Sequence, residues 1–273
     1  MPDIDTNGLR LHYQDSDGDG RAVVLIHGWP LSGAAWADQV PALTDAGYRT
    51  VAYDRRGFGS SDKPSSGYDY DTLAADLDGL LTGLDLRDVT LVGFSMGGGE
   101  VARYVARYGA DRVRSVVFAA AVPPYLLKTD DNPEGGLEEA DVAGMERGAS
   151  EDREGFLDAF TTTFFSADGE LKVTGEQRLQ ALALQQPARD EAVVGCIDAF
   201  SRTDFRDDLA AITVPTLVIH GDSDAIVPFE VSGARTAKAV ADSRLVVVKG
   251  APHGLNVSHA EEFNRALLEF LAD

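Results

Sequence analysis

Cysteine is almost absent from this chain of 273 residues, where Cys196 stands alone. A single thiol excludes an intramolecular disulfide and fits a reducing compartment. It lies in the apolar segment Val193 to Phe200, where a buried, inert thiol is expected rather than a reactive one. Positive charge is scarce too. Lys and Arg total 24 against 45 Asp and Glu, a net charge of −21, and only five of the 24 are lysine. That balance argues against nucleic acid and anionic membranes as partners, because phosphate binding draws on positive charge. It also fits a surface kept soluble in high salt, an expectation that stands beside the plainer one of an acidic, arginine-rich proteome. No apolar run approaches the ~18 residues that cross a bilayer. The opening Met1-Pro2-Asp3-Ile4-Asp5 lacks the basic and apolar regions of a secretion signal, so the cytoplasm is the expected compartment. His-Glu-x-x-His, Cys-x-x-Cys-His, cysteine clusters and the Gly-Lys-Ser/Thr end of a P-loop are all missing. No metal and no cofactor is expected.

What the chain does have is a repeating alternation. At 44% hydrophobic residues, 273 residues suit one large domain, or a domain with an insert. Leu9 to Tyr13 alternates like a half-exposed strand, and Val23 to Ile26 is a short apolar run typical of a buried parallel strand. Ala34 to Ala46 reads as a helix ending at Gly47. Thr50 to Tyr53 reads as a strand, Tyr70 to Leu84 as a helix, and Val89 to Val92 and Val113 to Phe118 as two more strands. This βα alternation predicts an α/β fold with a mostly parallel, doubly wound sheet. Pro123-Pro124 ends it. From Asn132 to about Asp204 the pattern is helical with no convincing strand. Strand character returns at Thr216 to Ile219 and Arg244 to Val248, and a last helix runs from about Ala260 to Leu271. The expected division is a core of residues 1–123 and 209–273, with a helical cap or lid at 124–208.

Chemistry concentrates at Gly93-Phe94-Ser95-Met96-Gly97. It follows the apolar run Val89 to Val92 and precedes a helical segment, Glu100 to Tyr108. A serine between glycines at a strand-to-helix junction is the pattern of a nucleophile elbow. The sharp turn exposes the hydroxyl and leaves N–H groups free at a helix start, as attack on a carbonyl requires. Such a serine needs a base, and the base needs an orienting acid. Of five histidines, His12 and His259 read as structural or surface groups, and His27 and His220 end strands. His253, in Gly250-Ala251-Pro252-His253-Gly254, follows the last predicted strand, where open α/β sheets bind ligands. The loop Gly221-Asp222-Ser223-Asp224 follows a strand as well. Asp224 is expected to orient His253, and Asp222 to hold the turn through backbone N–H groups. The order Ser95, Asp224, His253 is that of the α/β-hydrolases. Two oxyanion donors are expected at the N–H of Met96 and of Trp29; Pro30 has no N–H to offer. An apolar acyl pocket is expected from Pro30, Phe94, Phe160, Phe164, Ile226, Val227 and Leu255.

The stretch Gly93 to Tyr104 resembles the elbow of the bacterial cofactor-free haloperoxidases, or perhydrolases, α/β-hydrolases close to aryl esterases and γ-lactamases. Tyr53-Asp54-Arg55-Arg56-Gly57-Phe58-Gly59-Ser60-Ser61, Gly67 to Asp71, Asp130 to Gly135 and Gly250 to Gly254 resemble the same group. The resemblance covers nearly the whole chain. It implies the same triad and oxyanion donors. It implies a serine hydrolase acting on small carboxylic esters or acids, with hydrogen peroxide able to replace water at the acyl-enzyme. The peracid so released oxidises halide in solution. Trp29-Pro30 resembles the perhydrolase-type members, where the proline could shift a carbonyl toward the peroxide. Members are often homo-oligomers, so self-association is an expectation here. A γ-lactamase or amidase using the same acyl-enzyme is the alternative reading. A ligand-binding protein that kept the fold without catalysis is the alternative of another class. Epoxide hydrolases and haloalkane dehalogenases carry aspartate at the nucleophile position, so Ser95 counts against both.

Overall fold

The computed structural model describes residues 2–273. The chain opens on a hairpin, β1 (Asp3–Thr6) and β2 (Leu9–Asp15). Its turn is Asn7-Gly8, with φ of +46° and +76°, the left-handed pair that a two-residue hairpin requires. The first strand is short and half exposed, so periodicity alone gives it no signal. β3 (Ala22–Ile26) is buried at every position. The helix expected over Ala34 to Ala46 is broken in two: a 3-10 turn at Gly33–Trp36, then α1 (Gln39–Asp45). Pro41 explains the break. It lacks the N–H that would bond back to residue 37, and sits instead in the first turn of a new helix.

β4 (Arg49–Tyr53), α2 (Tyr70–Gly83), β5 (Val89–Phe94), α3 (Met96–Tyr108) and β6 (Val113–Ala119) follow. Asp69 caps α2 by accepting the Thr72 N–H. α3 begins at Met96, directly after Ser95 and four residues earlier than its apolar pattern suggests. Between β6 and the next sheet strand lie α4 (Glu139–Glu151), α5 (Arg153–Phe164), β7 (Ser166–Ala167), β8 (Glu170–Leu171), α6 (Gly175–Gln185), α7 (Asp190–Arg202) and α8 (Arg206–Ala210). This stretch is not free of strand: β7 and β8 form a small hairpin on the turn Asp168-Gly169, again with two positive φ values. The chain closes with β9 (Thr216–Gly221), α9 (Gly233–Ala239), β10 (Ser243–Val248), α10 (Leu255–Ser258) and α11 (Ala260–Ala272).

Among the described residues the main sheet has eight strands, ordered β1-β2-β4-β3-β5-β6-β9-β10. β1–β2 and β2–β4 pair antiparallel, and the rest pair parallel. Two apolar cores sandwich it. Leu73, Leu77 and Leu81 of α2 and Val101 and Val105 of α3 pack on one face. Leu43 of α1 and Phe263, Leu267 and Leu271 of α11 pack on the other. The elbow and the loops after β3, β9 and β10 all leave from the carboxyl ends of parallel strands, so they meet at one edge of the sheet. No helix among the described residues is long and apolar enough to cross a membrane.

Candidate active site

Ser95 occupies the turn between β5 and α3 with φ +53° and ψ −118°. A non-glycine residue in that region is strained by ~1–3 kcal/mol and persists only where its surroundings hold it. Here they do. Its N–H donates to Ala119 O at 2.9 Å, and its carbonyl accepts the N–H groups of Gly98 and Val122 at 3.0 and 3.2 Å. The flanking glycines leave room for the bend. A Cβ at Gly93 would lie 2.5 Å from Gly97 O, and one at Gly97 would lie 2.5 Å from Ile26 O.

The structure brings Ser95, His253 and Asp224 together. His253 Nε2 is 2.9 Å from Ser95 Oγ, and His253 Nδ1 is 2.7 Å from Asp224 Oδ2. The imidazole is packed between Phe94 and Phe164, with ring centroids 5.2 and 5.0 Å away. The other carboxylate oxygen, Oδ1, accepts the N–H groups of Ile226 and Val227 at 2.9 and 2.8 Å. Burial disfavours the Asp224 charge. The neighbouring His253 and hydrogen bonds from His220 and His253 outweigh that penalty and hold the carboxyl well below the usual carboxylate range. Asp222 turns away and accepts the Gly250 N–H at 2.6 Å, tying the β9 loop to the β10 loop.

Neither the Trp29 N–H nor the Met96 N–H has a protein acceptor among the described residues. Met96 is the first residue of α3, where an unpaired N–H is the rule. Trp29 is held from behind. The Gly28 carbonyl, in the same peptide plane as the Trp29 N–H, accepts from Leu31 N–H at 3.0 Å and meets His27 Nδ1 at 2.9 Å. A planar peptide fixed at its carbonyl has its N–H aimed as well. His27 Nε2 accepts the Arg55 N–H at 2.9 Å, so the ring proton sits on Nδ1. Burial and the Arg55 charge push the His27 imidazole well below its usual value, against the bond to Gly28. Arg55 also donates to His27 O at 2.6 Å, and it pairs with Glu100, which accepts Tyr53 OH at 2.5 Å. Arg56 pairs with Asp76 through two bonds of 2.5 and 2.6 Å. Both arginines of the 55–56 pair are therefore committed to buried ion pairs.

A cavity of about 40 Å³ reaches Ser95. Trp29, Val122, Leu126, Leu137, Met145, Phe160, Phe200, Ile226 and Val227 line the rest of it. At the ~10–15 Å³ a water needs, it holds about three waters or a short acyl chain. Phe160, Ile226 and Val227 stand on its wall as expected from the sequence. Pro30, Phe94, Phe164 and Leu255 do not. Phe94 and Phe164 lie behind the lining, against His253. Leu255 is fully buried in the core beneath α11, and Pro30 is buried in the turn after β3. Side chains of loops near Ser95 point either into the core or into the cavity, and spacing does not separate the two. Val122 reaches the cavity from the loop after β6, where its N–H bonds to Ser95 O, and the nearness of Leu126, Leu137, Met145 and Phe200 to Ser95 depends on how the 124–208 segment folds back, which spacing does not show. Trp29 joins that segment to the sheet: its indole N–H donates to Val193 O at 3.0 Å, and its ring packs on Phe156, Phe160 and Phe200.

Cys196 is buried away from the cavity. Burial, partly offset by the Arg55 charge, pushes its thiol up to about 12, the profile of an inert residue. No cluster of metal-ligating side chains exists among the described residues.

Comparison with known proteins accords with this architecture. The profile of the alpha/beta hydrolase fold family matches residues 21–260. The chain belongs to the α/β-hydrolase family. It is 47% identical to the non-heme chloroperoxidase CPO-A1 of Kitasatospora aureofaciens, over 97% of each chain. It is 37% identical to the bifunctional esterase/perhydrolase DCH of Acinetobacter calcoaceticus, again over 97% of each. The crystal structure of a bromoperoxidase from Bacillus anthracis superposes with a TM-score of 0.95 at 55% identity, over 97% of this chain and 96% of that one. Within the family, the chain stands in the group of cofactor-free, non-heme haloperoxidases and perhydrolases.

Proposed function

We propose that this chain is a serine hydrolase of small carboxylic esters that also catalyses perhydrolysis. One observation carries the reading: the bonded series Ser95, His253, Asp224 faces a small apolar cavity flanked by two unpaired backbone N–H groups. Ser95 Oγ attacks the substrate carbonyl while His253 Nε2 takes its proton. Asp224 stabilises the imidazolium through Nδ1. The N–H groups of Trp29 and Met96 receive the developing oxyanion. The alcohol leaves with the proton from His253, or water leaves when the substrate is the free acid. Water or hydrogen peroxide then attacks the acyl-enzyme, His253 takes its proton, and Ser95 recovers it as the acid or peracid departs. Peracid oxidises halide away from the protein. Two relatives support the peroxide branch by name, one a chloroperoxidase and one an esterase/perhydrolase. The segment 124–208 serves as a cap, supplying Leu126, Leu137, Met145, Phe160 and Phe200 to the acyl site. The small volume of the cavity suits short acyl groups.

A fluorophosphonate probe followed by peptide mapping tests the nucleophile. Ser95 is expected to be the labelled residue, and Ser95→Ala is expected to lower ester hydrolysis by about 10⁴-fold or more. An unlabelled Ser95 in folded protein refutes the mechanism. Bromide oxidation in acetate with hydrogen peroxide tests the second activity. Ester hydrolysis without peracid would restrict the chain to water as acceptor.

A further inference from the structure

We propose that His220 is a positioning residue that ties the acid Asp224 to the wall of the acyl cavity. The proposal rests on the reading of Ser95, His253 and Asp224 given above. His220 closes β9, and its ring is fully buried. Its Nε2 is 2.8 Å from Val227 O and 3.2 Å from Asp224 Oδ2. Both neighbours are acceptors, so Nε2 carries the ring proton and shares it between them. The nearer acceptor, Val227 O, takes the larger share.

The other ring nitrogen shows that the imidazole is not there for packing. Nδ1 is buried and meets no donor among the described residues. A buried acceptor without a partner is destabilising, and an apolar side chain of similar size would avoid it. The ring cannot relieve the problem by turning. Phe229 packs on it with centroids 5.7 Å apart, and even a Cβ at Gly233 would lie 2.5 Å from Nδ1.

What His220 gains is a closed circuit. Val227 accepts from His220 through its carbonyl and donates to Asp224 Oδ1 through its N–H at 2.8 Å. Asp224 completes the loop at Oδ2, the same oxygen that receives His253 Nδ1. The direction in which Asp224 faces His253 is thereby coupled to the placement of Val227, which lines the cavity with Ile226. The titratable groups facing Asp224 are His220 from β9 and His253 from the loop after β10. Ser95 faces His253 on its far side, and Asp222 is turned to the Gly250 N–H. Removing the His220 N–H leaves more negative charge on Oδ2 for His253. That favours the imidazolium, so the base is freed at a higher pH.

The test compares His220→Phe, which keeps a ring without an N–H, with His220→Gln, whose amide reaches the Nε2 position. His220→Phe is expected to lower kcat about tenfold with KM nearly unchanged, and to move the acid limb of kcat/KM up by about half a pH unit. His220→Gln is expected to keep the native limb and most of kcat. Gly233→Ala, which displaces the ring but keeps its nitrogens, is expected to lower kcat without raising KM, and serves if His220→Phe does not fold. A native kcat and acid limb in His220→Phe overturns the proposal even if its melting temperature falls. Equal losses in the Phe and Gln variants with an unmoved limb overturn it too. Fluorophosphonate labelling of the unaltered chain separates the two levels: a labelled Ser95 leaves the His220 variants to judge this proposal alone.

Discussion

The buried Arg55–Glu100 pair offers a sharp test of how stability and positioning divide in this site. Both side chains are almost fully buried. Burial raises the Glu100 carboxyl above its usual range, against the pull of Arg55 and the Tyr53 hydroxyl. Glu100→Gln removes the negative partner and strands the Arg55 charge. Breaking one side of a buried pair costs ~3–5 kcal/mol. At ~2.1 cal/mol/K per residue, the unfolding entropy of 273 residues is about 0.6 kcal/mol/K, so the melting temperature should fall by about 5–9 °C. The variant Tyr53→Phe, Arg55→Met, Glu100→Leu removes the whole network and strands no charge. It leaves His27 O without a side-chain donor, a loss of ~1–3 kcal/mol, or about 2–5 °C. Activity should move the other way. The triple variant loses the Arg55 bond to His27 O, which helps hold the residue whose Nδ1 meets the Gly28 carbonyl behind the Trp29 N–H, so its kcat on a short ester should stay well below native although its stability is largely restored. Thermal melts by circular dichroism and initial rates on p-nitrophenyl acetate measure both. A triple variant as unstable as Glu100→Gln, or one with native kcat, would refute the reasoning.

Two further outcomes follow from the site. The Asp224 carboxyl is depressed in the folded state, so the stability it contributes is fully present above its unfolded value of ~3.9 and is lost as pH falls below it. In urea melts from pH 7 to pH 3, Asp224→Asn should therefore lose stability less steeply than the native chain below about pH 4; parallel curves would contradict this. Phe160→Ala or Phe200→Ala should open the cavity and move the best p-nitrophenyl ester toward longer acyl chains, read as kcat/KM across the series; an unchanged preference would mean that these rings do not bound the acyl site.

Much of the core was legible because its signals are local. Short apolar runs such as Val23 to Ile26 belong to strands buried on both faces, and Gly93 and Gly97 mark a turn with no room for side chains. The order Ser95, Asp224, His253 follows from which strand each loop leaves. Other features failed for physical reasons that can be named. The helix expected over 34–46 ignored the missing N–H of Pro41. The two small hairpins rest on Asn7-Gly8 and Asp168-Gly169, turn signals that strand periodicity does not weigh. Of the residues expected at the pocket, Phe94 and Phe164 pack on His253 rather than on the cavity beside Ser95. The wall of that cavity includes Leu137, Met145 and Phe200, which are brought to Ser95 by packing across the molecule. His220 was read as a strand end, since nothing in sequence spacing shows that a ring four residues before Asp224 shares its carboxylate.

The crowding around the elbow also bears on how this enzyme can be diversified. Besides Gly93 and Gly97, a Cβ at Gly98 would lie 2.4 Å from Ala121 Cβ, and one at Gly99 would lie 2.5 Å from the Tyr70 ring. The neighbours lie in α3, at the end of β3, in the loop after β6 and in α2, so no one compensating exchange makes room for all four. Random substitution at Gly93, Gly97, Gly98 or Gly99 is therefore expected to destabilise the elbow. The 124–208 segment offers the opposite case: Leu137, Met145, Phe160 and Phe200 are partly exposed and line the cavity. Variation of the cavity therefore has its freedom in the 124–208 segment, while the elbow beneath is inherited nearly as a single block.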